Sequence, residues 1–250
     1  MSQIDRLVEV WLGSRSVLVF TGAGISTASG IPDFRGPKGL WKKWKPVYYQ
    51  DFLASHQSRI EHWRFKLAGW HAFREASPNG AHKALAELQR SGRIQKLVTQ
   101  NIDGLHQLAG YPQDAVIELH GTNCLVQCVR CNRKSDPGPA YESFRNTNEP
   151  PLCECGGFLK PATVSFGQNM PWEPMQKALE AAEQADLVVS SGSSLSVEPA
   201  ASVPLTAKQS GAFYAIVNQG STAHDAYADL IITGDVTLVL PAVSRKLPGS

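Results

Sequence analysis

The sequence predicts an α/β fold in which a parallel β-sheet carries helices on both faces and a smaller lobe is inserted. Short apolar runs alternate with helical patterns along the chain, and a parallel sheet requires such crossover connections between its strands. Two stretches, residues 37–78 and 123–160, interrupt this alternation. The first is rich in Trp, His, Lys and Phe and the second contains all five cysteines, so we interpret both as insertions that form the smaller lobe.

The predicted strands are short apolar runs, as expected for strands that are buried on both faces of a sheet. The first run leads into a glycine-rich turn, and the last is the weakest. The runs cover residues 16–20, 96–99, 116–119, 187–190, 213–217 and 230–233.

Helical patterns lie between some of these runs. The first helix is indicated by apolar residues at the spacing i, i+3, i+4 and i+7, namely Ile4, Leu7, Val8 and Trp11. Asn79 can cap a second helix, and a third is expected over residues 171–185. The tail after Leu240 is expected to be loosely held.

Composition and charge exclude several functions. The 250-residue chain is 42% hydrophobic and 18% charged, and its net charge of +2 argues against non-specific nucleic-acid binding as its main role. It shows neither a secretory signal pattern nor an apolar run near the roughly 20 residues that span a membrane. We therefore expect a cytoplasmic protein, in which clustered cysteines indicate metal or redox chemistry rather than disulfides.

Four cysteines form two closely spaced pairs. Cys128 and Cys131 make a C-x-x-C motif, while Cys153 and Cys155 make a C-x-C motif followed by two glycines. Two thiolate pairs separated by a loop can close a tetrahedron around zinc, and a site with four sulfur ligands is structural rather than catalytic. Free thiols or a redox pair are the alternatives. Cys124 is interpreted as a small, partly buried hydrophobic residue, with replacement of a ligand as the alternative.

The glycine-rich turn at residues 22–30 follows the first strand and could open a helix. Backbone amides at such a place can face a pyrophosphate. The third glycine comes too late for the usual dinucleotide fingerprint, so nucleotide binding and a tight strand-to-helix turn both remain open. Asp33, Phe34 and Arg35 follow directly and place an anion, an aromatic ring and a cation beside the turn, unless they form a surface loop.

Polar side chains follow two of the predicted strands. Gln100, Asn101 and Asp103 leave one strand together, at the end where ligands bind in parallel sheets. Either a ligand or a capped turn can satisfy them. His120 ends the next strand near the same rim, and histidine suits general-base work near neutral pH, although an isolated histidine is usually structural.

Taken together, these motifs resemble the sirtuin family over most of the chain. The order is Gly22-Ala-Gly-Ile-Ser26, Gly30-Ile-Pro-Asp-Phe-Arg-Gly36, Thr99-Gln-Asn-Ile-Asp-Gly-Leu-His106, His120-Gly121 and then the cysteines, followed by Phe166-Gly167, Gly192-Ser-Ser-Leu195 and Val217-Asn218. The resemblance implies a Rossmann-like NAD-binding domain of residues 1–36, 79–122 and 161–250. It also implies a small domain that combines a helical insertion, residues 37–78, with a zinc-ribbon module, residues 123–160.

The resemblance implies an NAD-dependent lysine deacylase with one structural zinc. The acyl oxygen of the modified lysine would attack C1′ of the ribose as nicotinamide leaves, and His120 would then act as base on the ribose hydroxyls. Free lysine and O-acyl-ADP-ribose would be the products. Asn101 joins His120 as a catalytic residue.

The family pattern assigns most NAD contacts to the loops after the strands. Ala23 and Arg35 would lie near the phosphates and the nicotinamide ribose, and Phe34 would cover the reacting face. The full set is Gly22, Ala23, Gly24, Thr27, Asp33, Phe34, Arg35, Gln100, Asn101, Ile102, Asp103, Gly192, Ser193, Ser194, Asn218, Gln219, Asp235 and Val236.

Within this set, Gln100 and Asn101 would hold the nicotinamide-side ribose, whereas Ile102 and Asp103 would hold the carboxamide. Ser193 and Asn218 would bind the adenosine half, with the backbone near Asp235 and Val236 beside the adenine. The substrate peptide would pair as a strand between two loops, with its acyl-lysine in an apolar tunnel. Its contacts would be Phe166, Gly167, Gln168, Val197 and Glu198.

The chain departs mildly from the family pattern. Gln168 stands where Glu is frequent, Ser193 where Thr is frequent, and the second cysteine pair is C-x-C. Family members that prefer acidic acyl groups carry a Tyr-x-x-Arg pair, and none lies near Arg64 or Arg74, which disfavours desuccinylation. Acyl preference therefore stays open.

Two alternatives to deacylation remain. One keeps the NAD site but transfers ADP-ribose to a protein, and the other is a non-enzymatic zinc protein that senses NAD or a nucleic acid. The expected partners are acylated-lysine proteins or peptides, with no membrane and no specific nucleic acid. A monomer is plausible.

Overall fold

The computed structural model describes residues 2–33 and 44–247. Phe34 and Arg35, two of the expected NAD contacts, lie outside the described residues. The strands are β1 (Val17–Thr21), β2 (Lys96–Thr99), β3 (Val116–Glu118), β4 (Gly121–Cys128), β5 (Lys134–Ser135), β6 (Leu159–Thr163), β7 (Leu187–Ser191), β8 (Phe213–Asn218) and β9 (Leu230–Thr233).

Helices connect most of these strands. They are α1 (Gln3–Gly13), α2 (Tyr49–Ala54), α3 (His56–Glu75), α4 (Gly80–Arg90), α5 (Leu105–Leu108), α6 (Gly138–Thr147), α7 (Trp172–Glu183), α8 (Ser202–Gln209) and α9 (Val236–Ser244). Within the described ranges, none of these helices has both the length and the apolar character needed to cross a membrane.

The larger sheet confirms the predicted parallel architecture. Its six strands stand in the order β3-β2-β1-β7-β8-β9, and every neighbouring pair is parallel. Side chains alternate between the two faces of each strand. In β1, Val19 packs with α1, α4 and α9 on one face, whereas Phe20 packs with α7 and α8 on the other. Helices therefore cover both faces, and the sheet is buried between them.

A second, smaller core lies beside this sheet. Here β4 pairs with β5 and β6 in an antiparallel sheet, and we call α2, α3, β4, β5, β6 and α6 the small lobe. Tyr141 of α6 is fully buried between two tryptophans of α3. Its ring stacks on Trp70 at a centroid distance of 3.8 Å and meets Trp63 edge-on at 5.2 Å. Aromatic packing thus joins the two inserted stretches into one unit.

Two local expectations were wrong. The glycine-rich turn opens no α-helix but two 3-10 turns, Ala23–Ile25 and Thr27–Ser29, because the Gly24 amide is used outside the turn. The tail after Leu240 is not loose through residue 247. Asp235 caps α9, and this helix buries Val236, Val239, Leu240 and Val243.

Candidate active site

One cavity of about 860 Å³ lies at the carboxyl ends of the large-sheet strands and extends to the small lobe. The strand order reverses between β1 and β7, and ligands bind at such switch points in open parallel sheets. Most of the predicted site residues line this cavity. They are Ala23, Gly24, Thr27, Asp33, Gln100, Asn101, Ile102, His120, Phe166, Gly167, Gln168, Gly192, Ser193, Ser194, Val197, Glu198, Asn218, Gln219, Asp235 and Val236.

Glycines bring the loops after β1 and β7 into contact. The Gly24 amide donates a 2.8 Å hydrogen bond to the Gly192 carbonyl oxygen. A Cβ atom on Gly22 would lie 2.7 Å from Cβ of Ser193, and one on Gly192 would lie 2.5 Å from the Ile25 nitrogen. These positions therefore have no room for a side chain. The loops present bare backbone to the cavity, which suits the close approach of a pyrophosphate.

Two carboxamides follow β2 and are held differently. Nε2 of Gln100 donates to the Ser193 hydroxyl over 3.0 Å. Asn101 is buried, and its Nδ2 donates to the Gly22 carbonyl at 3.2 Å and to the Ser26 hydroxyl at 3.1 Å. Oδ1 of Asn101 accepts no hydrogen bond from the described residues, so it is available to a ligand.

Asp103 lies behind the cavity wall that Gln100 and Asn101 form, and it does not line the cavity. Its Oδ2 accepts a 2.7 Å hydrogen bond from the Ser26 hydroxyl, and its Oδ1 accepts one of 3.0 Å from the Leu105 amide. Burial raises the pKa of Asp103, and these two donors oppose the rise. The carboxylate holds Ser26, which in turn accepts from Asn101. The sequence offered one signal for Ser26, its place in the glycine-rich motif, but no role.

A buried polar network supports the end of β2. The Thr21 hydroxyl donates to the Thr99 hydroxyl over 2.9 Å and lies 3.0 Å from Nε2 of His106. Thr99 also accepts a 3.0 Å hydrogen bond from the Asn101 amide. Burial lowers the pKa of His106 well below its usual value. Sequence reasoning missed this network because its partners stand 78 and 85 positions apart.

His120 occupies the point where the chain leaves the large sheet. β3 ends at Glu118 and β4 begins at Gly121. Nδ1 of His120 lies 2.9 Å from the Gln100 carbonyl oxygen. A carbonyl oxygen only accepts, so Nδ1 carries the hydrogen and Nε2 keeps its lone pair. Burial lowers the pKa of His120 below its usual 6.5, against the effect of this hydrogen bond, and favours the neutral imidazole that a general base needs.

The loop after β6 faces the cavity in a fixed conformation. The Tyr49 amide donates to the Phe166 carbonyl oxygen over 2.8 Å, which ties the loop to α2. The Ser165 amide donates to Oε1 of Gln168 over 3.1 Å. The expected peptide contacts in this loop and those of the loop after β7, Val197 and Glu198, line the same cavity.

The far end of the cavity is formed by β8 and α9. Nδ2 of Asn218 donates to the Gly220 carbonyl oxygen over 2.7 Å. The Asp235 carboxylate accepts from the Thr237 amide at 2.8 Å and from its hydroxyl at 2.7 Å. Both hydrogen bonds end on Oδ1, so the cap fixes the side chain of Asp235 beside the backbone of Asp235 and Val236 that lines the cavity.

The two cysteine pairs meet in the small lobe. The four Sγ atoms of Cys128, Cys131, Cys153 and Cys155 lie within 4.8 Å of one another, with the closest contacts at 3.5 and 3.8 Å. Four sulfurs at about 2.3 Å from a tetrahedral zinc lie about 3.8 Å apart. The spacing therefore fits one zinc ion, and four protein ligands make the site structural.

The glycines after Cys155 and the amides near Cys128 suit a metal site at the four cysteines. Gly156 has a φ of +78°, and a Cβ on Gly157 would lie 2.6 Å from Sγ of Cys128. Amide hydrogen bonds, from Cys131 and more weakly from Arg130, lower the pKa of Cys128 to about 6 and favour the thiolate that zinc binds.

Cys124 does not belong to this cluster. It is exposed rather than partly buried, and its Sγ lies 3.8 Å from the Asp103 carbonyl oxygen. Burial of the thiol group itself raises the pKa of Cys124. Replacement of a zinc ligand by Cys124, the alternative interpretation, finds no support in the geometry.

Known proteins are similar to this chain in both sequence and fold. The Sir2 family model matches residues 22–199. An NAD-dependent protein deacetylase of Rhodopseudomonas palustris is 42% identical over 236 residues, which cover 94% of this chain and 93% of the relative.

Two solved Sir2 structures carry ligands. A complex with a p53 peptide and NAD⁺ has a TM-score of 0.88 at 37% identity and covers 98% of both chains. A complex with a deacetylated p53 peptide and 3′-O-acetyl-ADP-ribose has a TM-score of 0.89 at 39% identity and covers 98% of this chain and 97% of its own.

Proposed function

This chain belongs to the Sir2 family, and we propose that it is an NAD-dependent protein deacetylase that removes acyl groups from lysine side chains. The products are nicotinamide, the free lysine and O-acyl-ADP-ribose. One observation carries the chemistry: a half-buried imidazole with its hydrogen fixed on Nδ1 lines the same cavity as the bare-backbone glycine loops. Transfer of ADP-ribose to a protein is not favoured, since the relatives are named deacetylases.

The chain's own residues supply positioning and one proton transfer. NAD, when bound, supplies a ribose whose C1′ can pass from nicotinamide to the acyl oxygen of the substrate. The loops after β1 and β7, whose glycines leave room for close approach, receive the pyrophosphate on backbone amides other than those of Gly24 and Gly192, which already donate within the protein. Oδ1 of Asn101 orients a polar group of the nicotinamide half. Nε2 of His120 accepts a proton from a ribose hydroxyl, because Nδ1 is held by the Gln100 carbonyl.

The assignment of individual contacts is part of this proposal. The cavity-lining residues after β1, β2, β7 and β8 bind NAD, and Phe34 and Arg35 join them by their place in the motif. Gly22 acts through its backbone, since a side chain there would collide with Ser193. Asp103 lies behind the cavity wall and contributes to the nicotinamide carboxamide site by orienting Asn101 through Ser26.

The peptide substrate lies between the loops after β6 and β7. An extended chain there can use main-chain hydrogen bonds to Gly167 and Val197, which gives affinity with little dependence on sequence. Phe166 is 39% exposed and offers an apolar surface beside the bound strand. The acylated lysine enters the cavity toward His120.

Zinc has a structural role in this scheme. Cys128, Cys131, Cys153 and Cys155 would hold it and would so join the end of β4 to the loop before β6. We propose the division into a Rossmann-like domain, residues 1–36, 79–122 and 161–250, and a small domain of residues 37–78 and 123–160. We further propose a cytoplasmic location, where reduced thiolates remain available to zinc.

Purified protein incubated with NAD and acyl-lysine peptides tests the proposal. We expect nicotinamide and O-acyl-ADP-ribose to form in equal amounts, together with the unmodified peptide, as read by mass spectrometry. Failure of acetyl-lysine and all longer or acidic acyl-lysines to release nicotinamide would overturn it. ADP-ribose attached to protein, with the acyl group retained, would select the transferase alternative.

A further inference from the structure

The end of the cavity next to the small lobe carries basic side chains that the proposed reaction does not use. His62, Phe65 and Lys66 of α3 line it together with Thr163 of β6. Nζ of Lys66 lies 3.4 Å from the Thr163 hydroxyl. The next residue, Val164, donates its amide to the His120 carbonyl oxygen over 2.9 Å. The Thr163–Val164 segment therefore links the His120 part of the cavity to Lys66 along one wall.

Lys66 is half-buried, and a second lysine, which is almost fully buried, lies behind the wall. Lys160 is 4% exposed, and its Nζ donates to the carbonyl oxygens of Pro161, at 3.1 Å, and of Thr163. None of the ion pairs formed by the described carboxylates involves Lys66, Lys160 or His62. Residues 34–43 contain no Asp or Glu either, so that segment brings no countercharge.

This cluster is electrostatically unsatisfied. Burial, and then the positive charge of Lys160, lower the pKa of Lys66 to about 7. Burial likewise lowers the pKa of Lys160 to about 8. Nε2 of His62 is buried and has no hydrogen-bond partner among the residues that the structure describes. A buried ammonium without a countercharge is costly, and a bound anion offsets that cost.

We propose that this basic end of the cavity selects lysine acyl groups that end in a carboxylate, such as succinyl-lysine, and that Lys66 pairs with the carboxylate. The inference rests on the proposed deacylase function and names its substrate class. It reverses the expectation drawn from the missing Tyr-x-x-Arg pair, because a lysine on α3 supplies the cation instead. It also replaces the expected apolar tunnel for the acyl group with a tunnel that is charged at the end near Lys66.

Two peptides of nearly the same shape, one with a charged acyl end and one with a neutral end, test the proposal on the unaltered enzyme. One carries succinyl-lysine and the other carries the neutral amide of the same acyl group, succinamoyl-lysine. We expect kcat/KM for the succinyl peptide to be higher by at least about tenfold, because a charge-assisted pair replaces a neutral hydrogen bond. Equal values for the two peptides would overturn the proposal.

A substitution then assigns the preference to one residue. Lys66→Met keeps the length and apolar stem of the side chain but removes the ammonium group, and we expect it to abolish the preference for succinyl. Lys83→Met, an exposed lysine on α4, serves as the matched control and should leave the ratio unchanged. A preference that survives Lys66→Met contradicts the assignment to Lys66.

The pH dependence of the same ratio is a second readout. Lys66, with a pKa of about 7, is charged below this pH and neutral above it, so the ratio should fall as pH rises from about 6 to about 8. The groups that face Lys66 are Lys160, His62 and the Thr163 hydroxyl. The effect of His120 protonation cancels in the ratio of the two kcat/KM values, because both peptides need the same base. A constant ratio would contradict the pairing.

The acetyl-lysine peptide separates the two levels of the argument. If it releases nicotinamide while succinyl and succinamoyl peptides react equally, the deacylase function stands and the acyl preference fails. If no acylated peptide of the series releases nicotinamide, the proposed function itself fails.

Discussion

The large sheet and the small lobe are stabilised in different ways. The large sheet is enclosed by two extensive clusters of buried apolar side chains, one on each face. The small lobe has one compact cluster around Trp63, Trp70 and Tyr141, and it also contains four clustered thiols and Lys160, which is almost fully buried. Small units bury too little surface to be stable alone and often require a metal. Apolar burial thus maintains the sheet, whereas we expect the small lobe to need zinc at its four thiols as well.

Loss of a zinc ligand should break the small lobe most severely. We expect Cys153→Ser to lose the bound zinc, the near-ultraviolet circular dichroism of the buried tryptophans and all deacylation. Structural zinc contributes about 10–16 kcal/mol of apparent binding free energy in zinc-finger peptides, which exceeds the stability of most domains. Cys124→Ser is the control and should retain one zinc per chain. A Cys153→Ser protein with full zinc content would refute the dependence.

Removal of the His120 imidazole, which lies between the large sheet and the small lobe, should stop the reaction and leave both regions folded. We expect His120→Ala to lower kcat by about 10²–10⁴-fold, the usual contribution of a general base, while zinc content and NAD binding persist. His71→Ala, on the exposed face of α3, should remain fully active. Nicotinamide release within tenfold of the unaltered enzyme would remove His120 from its role.

Removing a buried side chain from the core of the large sheet should lower the stability of the protein without releasing zinc, which is the opposite of the result expected for Cys153→Ser. Leu97 of β2 is fully buried, and we expect Leu97→Ala to reduce the free energy of unfolding by about 2–5 kcal/mol, measured with urea, while zinc is retained. Leu108→Ala, at a residue that is 68% exposed, should change it by less than about 0.5 kcal/mol. Zinc loss in the Leu97 variant would show that the two regions are not independent.

The smallest effect is expected in the pH profile for the acetyl peptide. Because burial lowers the pKa of His120 below its usual 6.5, the base is neutral at pH 7. We expect kcat/KM to be level near neutrality and to fall as pH drops through the lowered pKa. An acid limb above 6.5 would mean that the imidazole is not shielded as the structure indicates.

Sequence patterns predicted the large sheet better than its connections. Each apolar run that was assigned to a strand is a strand, because central parallel strands need continuous apolar side chains. The conformation of the turn after β1 was harder to predict. Its Gly24 amide donates a hydrogen bond to Gly192, in a loop far along the chain, so the turn forms 3-10 turns and no α-helix. The tail differs from the expectation because its apolar residues from Val236 to Val243 form a capped helix that packs into the core.

The site was predictable where chemistry follows a strand end and unpredictable where it depends on tertiary burial. Gln100, Asn101 and His120 could be placed on one rim from strand ends alone. The positions of Ser26 and Lys66 could not, because each depends on contacts between distant segments. A lysine on a helix is ordinarily a solvated residue, and only the fold turns Lys66 into the cavity.

The glycine contact between the loops after β1 and β7 limits how this enzyme can be redesigned. Gly22, Gly24 and Gly192 each lack the space for even a methyl group. A library randomised at these codons should yield active clones that encode glycine alone. Engineering toward altered dinucleotides therefore has to begin at the opposite end of the cavity, around Asn218 and Gln219, where side chains already form the wall.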